Sequence, residues 1–426
     1  MNMNSLPRRD FLKTSAVLTV GAVLARPLSA ASHRRVVGAN SRIRIAQIGC
    51  GSRGQGAHLE KGILPHKDAI DFEVVAIADP WKKARESING VITQAFGRPA
   101  KEFTNYRDLL AMDGIDAVMI ASPDFHHTTH LEAAAKAGKH IYIEKPLATD
   151  FAELLVAYDA AKAAQASGSV IQVGTQLRSL PGIVGARQLV KDGTIGKITR
   201  IDETRNGDKP YWYLYLKPDV READVDWKEF LGDRDMRPFS AEQFSAWYGY
   251  YEFCQGPVPQ WGAHFLDLMH FVTGCGFPRS CVCLGGSTYW NDEHKFTTPD
   301  NIAATWMYPE GLVVTSSNNF GNSAGSSRKF YGDKGTLAVD NWNAPTYSAE
   351  GGLKRDGKIR GKQDVTPIKH PDHYLDWLQC MRSGGTPNAN IDAGYQHAVA
   401  VLMAVTAYDT GRKTIYDPIE RRIRTA

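Results

Sequence analysis

The feature of this 426-residue chain that most restricts its fold is Gly49-Cys50-Gly51-Ser52-Arg53-Gly54, directly after the β-rich run at residues 42–48. Spaced as G-x-G-x-x-G, the glycines let the backbone turn tightly and approach a pyrophosphate closely. The helix that follows offers free N–H groups and partial positive charge. A second apolar run, residues 73–78, closes on Asp79, 25 positions beyond Gly54. An acid at that interval accepts hydrogen bonds from the adenosine ribose hydroxyls and favours NAD over NADP, whose 2′-phosphate meets like charge there. Gly49, Gly51, Ser52, Arg53, Gly54 and Asp79 are therefore candidate dinucleotide-binding residues. Arg53 complicates the choice of cofactor, because a guanidinium also contacts phosphate, that of NADP included.

Residues 115–121, 140–143 and 170–173 continue as strands, with helices expected over 128–137 and 148–166, ended by Gly138 and near Gly168. Alternating strands and helices imply a parallel sheet covered on both faces. This predicts an α/β chain whose Rossmann domain spans residues 42–168. The length exceeds what one core serves, so a second domain is expected over 169–426. There the alternation stops. Residues 197–204, 281–289, 302–308, 312–317 and 336–340 read as strands, with Pro309-Glu310-Gly311 as a hairpin turn. Residues 372–381 and 395–410 read as helices, and 350–364 as an exposed loop.

The N-terminus reads as an address. Pro-Arg-Arg-Asp-Phe-Leu-Lys at residues 7–13 precedes an uncharged apolar stretch and the small residues Ser29-Ala30-Ala31. A basic region, a short apolar region and a small-residue cleavage site make a secretory signal. The twin arginine resembles the twin-arginine export signal, so residues 1–31 are expected to engage that translocation machinery and deliver the protein to the periplasm. The apolar run is too short for a membrane anchor. Because that route carries folded proteins, a nucleotide cofactor is expected to be bound before export and retained. The formal charge of +4 includes a surplus of three within residues 1–31, and the near-neutral body argues against a nucleic-acid partner. The six cysteines are too scattered for a disulfide framework. A bridge from Cys275 to Cys281 or Cys283 is weighed against buried free thiols, and the thiols are favoured.

The fourth strand ends in Glu144-Lys145-Pro146-Leu147. Ligands of open parallel sheets bind at the carboxyl ends of the strands, so a lysine fixed there faces the reacting end of a bound cofactor. Together with Gly49–Gly54, Asp79, Ser122-Pro123-Asp124-Phe125-His126, Gly174-Thr175-Gln176-Leu177-Arg178 and Gly262-Ala263-His264-Phe265-Leu266-Asp267, this motif resembles the Gfo/Idh/MocA oxidoreductases. The resemblance covers nearly the whole exported chain. It implies oxidation or reduction of a sugar or cyclitol carbon with NAD(P). It also implies a second domain built on a large, mostly antiparallel open sheet, with the last helices packing back on the first domain. Ser122, His126, Glu144, Lys145 and Gln176 join the expected cofactor-binding set.

Oxidising a secondary alcohol also removes a proton, so a base is required. Family members place the acid–base histidine four residues after an aspartate. Here that position, counted from Asp267, is Phe271. On a helix of about 100° per residue, the vacant position lies at about +40°, His264 at about +60° and His270 at about −60°. His264 is favoured over His270, with Asp267 orienting the histidine or holding a sugar hydroxyl. Lys145 is the alternative base, or an electrostatic partner of the alcohol oxygen. Metal binding by His264, Asp267 and His270, or by His126, His127 and His130, is a weaker reading.

Fourteen of the 42 aromatic residues fall within residues 211–261, which suits stacking on the C–H faces of a carbohydrate, with other rings packing the core. The expected substrate is a sugar, glycoside or cyclitol. The alternative reaction is glycoside cleavage through transient oxidation and elimination, known among family relatives that typically lack Glu-Lys-Pro. A non-catalytic sugar-binding protein is argued against by Lys145 and its acid–base neighbours. An open sheet face in the second domain is expected to make the protein a homo-oligomer, a dimer or tetramer.

Overall fold

Apolar strands alternating with amphipathic helices build the first half of the chain. The computed structural model describes residues 42–350 and 359–426, so the expected export signal lies outside the described residues. The N-terminal elements are β1 (Ile43–Ile48), α1 (Arg53–Ile63), β2 (Phe72–Ala78), α2 (Lys82–Phe96), β3 (Lys101–Phe103), α3 (Tyr106–Leu110), β4 (Ala117–Ile120), α4 (His127–Lys136), β5 (His140–Ile143), α5 (Phe151–Ala166) and β6 (Ile171–Val173). The six strands form one parallel sheet in the order β3-β2-β1-β4-β5-β6. Both faces are buried, as helical crossovers require.

Three features near the site differ from the sequence reading. The sheet runs past residue 168, because β6 pairs with β5 from Ile141↔Ile171 to Ile143↔Val173. Helix α5 starts at Phe151, where the Asp150 side chain caps the Glu153 N–H; Leu147 and Ala148 are instead buried in the connection. The helix after the glycine motif, α1, is of π type.

The second half continues through α6 (Pro181–Lys191), β7 (Ile198–Asn206), α7 (Trp227–Leu231), α8 (Ala241–Ser245), α9 (Tyr251–Cys254), α10 (Ala263–Thr273), β8 (Ser280–Gly286), β9 (Asn301–Met307), β10 (Val313–Asn319), β11 (Ser326–Gly332), β12 (Gly335–Ala338), β13 (Thr346–Ala349), β14 (Lys362–Asp364), α11 (His373–Ser383), α12 (Ile391–Thr410), β15 (Thr414–Asp417) and β16 (Arg422–Thr425). Ten strands form the second sheet, in the order β14-β13-β12-β11-β7-β10-β9-β8-β15-β16. All its pairs are antiparallel except β7–β10. The turn at Pro309-Glu310-Gly311 joins β9 to β10, with Gly311 at φ +79°. Residues 362–364, expected in a loop, form edge strand β14.

Helices α10 and α12 lie between the two sheets, and Trp306 Nε1 on β9 donates to the Ala400 carbonyl of α12 at 2.8 Å. Helix α11 returns to the first domain. Its Tyr374, Trp377 and Leu378 share a core with Ile45, Leu59, Ile88 and Tyr142. On the far side of the second sheet, Val282, Leu284, Met307 and Ile415 are exposed. All six cysteines are buried free thiols. No described helix is long and apolar enough to cross a membrane.

Candidate functional site

The carboxyl ends of β1, β2, β4 and β5 open into one cleft, lined by Gly49, Gly51, Ser52, Arg53, Asp79, Ser122, Asp124, His126, Glu144 and Lys145. The glycines are required there sterically. Gly49 has φ +84°, and a Cβ on it would lie 2.5 Å from the Ala121 carbonyl; a Cβ on Gly54 would overlap the Gly49 oxygen. A Cβ on Gly51 would meet nothing within 4 Å, which leaves the backbone open to a diphosphate. Asp79 is held by the Cys50 N–H (2.7 Å) and the Trp81 N–H (2.8 Å) at the end of β2. The residues present thus fit a dinucleotide.

Arg53 does not lie beside Asp79. Its Nε sits 4.0 Å from Glu144 Oε1, at the end of β5, so it is placed away from a ribose 2′-phosphate. Glu144 also accepts from Gln176 Nε2 (3.0 Å) and contacts His58 Nε2 (3.1 Å). Burial alone would raise its pKa, but Arg53, His58 and Lys145 outweigh burial and hold it well below the usual carboxylate range. Gln176 therefore serves the cleft by fixing Glu144, and its Nε2 also donates to the Tyr142 hydroxyl.

Lys145 is 8% exposed. Its Nζ donates to the Gln260 carbonyl at 2.9 Å, with Gln260 Oε1 at 3.4 Å. Burial pushes its pKa down to about 8, with Asp124 opposing and Arg53 reinforcing the shift. Asp124 is itself buried, hydrogen-bonded by Gln260 Nε2, and pushed upward by that burial. Neither Asp124 nor Gln260 stood out in the sequence. Asp124 lies within the quoted Ser-Pro-Asp-Phe-His turn, whereas Gln260 reaches the site only through the fold.

The three expected acid–base candidates on α10 separate. His264 lies within reach of the Lys145 and Glu144 charges, although it is not among the residues that line the cleft; burial first, then the Lys145 charge, push its pKa far down, and its Nδ1 is buried without a partner. Asp267 is 0% exposed and accepts from Arg178 Nε at 2.8 Å through both oxygens, so it neither orients His264 nor faces a sugar. His270 contacts the Tyr308 hydroxyl at 2.8 Å against the second sheet and does not line the cleft. The wheel put His264 and Asp267 on neighbouring directions, but a helix wheel does not show that Arg178 lies across from the aspartate.

The other histidines have structural partners. His126 Nε2 meets the Phe230 carbonyl, His127 the carbonyls of Pro146 and Ser122, and His130 the Ser122 hydroxyl. Among the described residues, no group of three or more His, Cys, Asp or Glu side chains is placed to hold a metal. Of the aromatic segment, Tyr215, Phe230, Phe244, Trp247 and Tyr248 line the cleft, while Trp212 and Phe253 are fully buried.

Residues 219–230 are pinned over the Asp79 side of the cleft. Asp226 N donates to the Pro80 carbonyl (3.0 Å), Val225 bridges to Trp81, and Asn105 Nδ2 donates to Glu229 (2.9 Å). Lys83 pairs with Asp219 at 3.2 Å.

Residues 43–175 match the family model described as the Gfo/Idh/MocA oxidoreductase family, NAD-binding Rossmann fold. Residues 219–338 match the Gfo/Idh/MocA C-terminal domain. A glycosyl hydrolase family 109 protein of Shewanella pealeana is 32% identical over 177 residues, 38% of this chain and 38% of that protein. A 2,7-anhydro-N-acetylneuraminate hydratase of Escherichia coli is 33% identical over 201 residues, 47% of this chain and 45% of that protein. The chain thus spans less than half the length of these curated relatives. Among solved structures, levoglucosan dehydrogenase in complex with NADH and levoglucosan aligns with TM-score 0.66 at 17% identity, over 88% of this chain and 99% of that one. The WlbA dehydrogenase of Bordetella pertussis, in complex with NADH and UDP-GlcNAcA, aligns with TM-score 0.66 at 19% identity, again over 88% and 99%. These likenesses establish the shared fold.

Proposed function

Because the chain belongs to the Gfo/Idh/MocA oxidoreductase family through its NAD-binding Rossmann domain and its C-terminal domain, we propose that it transfers a hydride to or from a secondary alcohol carbon of a sugar, glycoside or cyclitol. The observation that carries this reading is Lys145: a buried amine with a pKa near 8, at the carboxyl end of the parallel sheet beside a glycine cradle. The nicotinamide, when bound, supplies the hydride acceptor or donor. The protein supplies the proton chemistry. Neutral Lys145 Nζ takes the hydroxyl proton in oxidation, and its ammonium returns it in reduction. His264, kept neutral, offers a ring nitrogen to the same oxygen.

Asp79 beside the cradle, with Arg53 turned to Glu144, favours NAD over NADP. The segment pinned across the cleft supports a cofactor that stays bound through turnover, one substrate reducing it and another reoxidising it. Denaturing the purified protein is expected to release about one nicotinamide nucleotide per chain; a protein that releases none and binds none ends this reading.

A second reading is favoured by the similarity to a glycosyl hydrolase family 109 protein and to an anhydroneuraminate hydratase. In it, transient oxidation acidifies a neighbouring C–H, the leaving group is eliminated, and re-reduction leaves no net redox change. Release of free aglycone without any added electron acceptor distinguishes it.

We also propose export to the periplasm by the twin-arginine route, supported by Arg8-Arg9 and the short apolar stretch that follows. Replacing both arginines by lysine is expected to leave the protein in the cytoplasm. Self-association through the outer face of the ten-stranded sheet is supported by its exposed Val282, Leu284, Met307 and Ile415. Light scattering is expected to give a dimer or tetramer, and a Leu284→Glu variant to lower that state.

A further inference from the structure

The inner face of the second sheet changes character in three successive tiers along its strands. The first tier is apolar: Ile201, Val314 and Phe330 are register neighbours and fully buried. The second is ionic and closed. Glu203 receives Arg205 Nε (2.7 Å), Arg328 Nε (2.9 Å) and the Ser316 hydroxyl (2.9 Å). The third is polar and incompletely paired. Arg205 and Asn318 are register partners across the β7–β10 pair, 8% and 0% exposed. Arg205 Nη2 and both amide atoms of Asn318 are buried without a hydrogen-bond partner.

Such a tier is costly as it stands. Two arginines share the single carboxylate of Glu203, and each buried donor or acceptor without a partner loses the hydrogen bond that water gives it in the unfolded chain. Aromatic rings flank the tier. Trp261 lies under the Arg205 guanidinium at 5.2 Å and beside Tyr211 at 5.1 Å, and the Tyr211 hydroxyl is a further buried group without a partner. Trp261 follows Gln260, the residue that holds Lys145. The positive charge of Arg205 is felt at both Lys145 and His264, which places the tier beside the reacting centre.

We propose that Arg205 and Asn318 form a carboxylate subsite, so that the preferred substrate is an acidic carbohydrate, such as a uronic acid or its glycoside. The guanidinium and the Asn318 amide donate to the carboxylate, while Asn318 Oδ1 accepts from a neighbouring hydroxyl. The sugar ring packs beside Trp261 and Tyr211. This deepens the oxidoreductase reading and rests on it.

The test uses the full chain carrying its own nucleotide. Thermal shift and nucleotide absorbance are measured with glucuronate and galacturonate, their methyl glycosides, the parent hexoses, and the hexose 6-phosphates. The acids are expected to bind about tenfold to a hundredfold tighter than the neutral sugars. Arg205→Met is expected to erase that preference without loss of the nucleotide, since Arg328 still neutralises Glu203. Arg205→Lys keeps the charge and is expected to retain part of the preference, and Asn318→Ala to weaken it. These two serve if the methionine variant fails to fold. Acids binding no better than neutral sugars, an intact preference in the Arg205 or Asn318 variants, or phosphates outbinding the carboxylates would each overturn the subsite. Loss of the parent reading is seen separately, as absence of nucleotide from the denatured wild-type protein.

Discussion

The two sheets flank the proposed reacting centre and treat their polar groups in opposite ways. At the carboxyl edge of the parallel sheet two buried carboxylates have full sets of partners: Glu144 is answered by Arg53, His58 and Gln176, and Asp79 by two backbone N–H groups. On the inner face of the ten-stranded sheet, Arg205 and Asn318 keep buried atoms without partners. A ligand common to a whole family is met by a site already assembled, with little left to reorganise. A ligand that distinguishes one member from another is met by groups whose hydrogen bonds are completed only on binding.

The largest effect expected from breaking this contrast is on turnover. Lys145→Met should lower kcat by about a thousandfold or more while the nucleotide stays bound, because the cradle is untouched. Single-turnover absorbance of the variant checks it, and unchanged turnover removes Lys145 from the chemistry. Next is a matched pair outside the cleft. Arg178→Met strands the buried Asp267 carboxylate and should cost about 3–5 kcal/mol of stability. Denaturant unfolding measures that loss, and turnover per folded molecule at low temperature should hold. A fall in turnover without a fall in stability would return Asp267 to the reacting centre.

A third expectation concerns pH. Sugar oxidation needs Lys145 neutral, so kcat/KM should rise about tenfold per pH unit below pH 8 and level above it. Reduction needs the ammonium and should fall above pH 8. The smallest effect is on acid stability. Burial holds His126 and His373 at about 4, below their ordinary value of 6.5. Their contribution is complete above pH 6.5 and is lost as pH falls from 6.5 towards 4, by about 1–3 kcal/mol for each ring. Melting temperature across that range checks it.

Much of the first half was legible because its signals are local. A strand, a glycine turn and an acid at the next strand end lie within 40 residues, and each has a steric or electrostatic reason to be there. The short strands β13 to β16, two at each end of the sheet, were not legible, since three or four residues carry too little alternation to register. Nor was the division of labour on α10. His264, Asp267 and His270 are three residues apart, and their roles are set by Lys145, Arg178 and Tyr308, which arrive from other elements. Arg205 and Asn318 lie 113 positions apart and become neighbours only through the one parallel pair in an otherwise antiparallel sheet.

Helix α11 bears on the order in which the chain acquires its structure. One face of the first sheet, around Ile45 and Tyr142, is sealed by Tyr374 and Trp377, which a ribosome makes more than 200 residues after β5. Until then α1 and α2 cover only part of that face, and the part under Tyr374 and Trp377 stays open. Closing the first sheet therefore waits on residues from the far end of the chain.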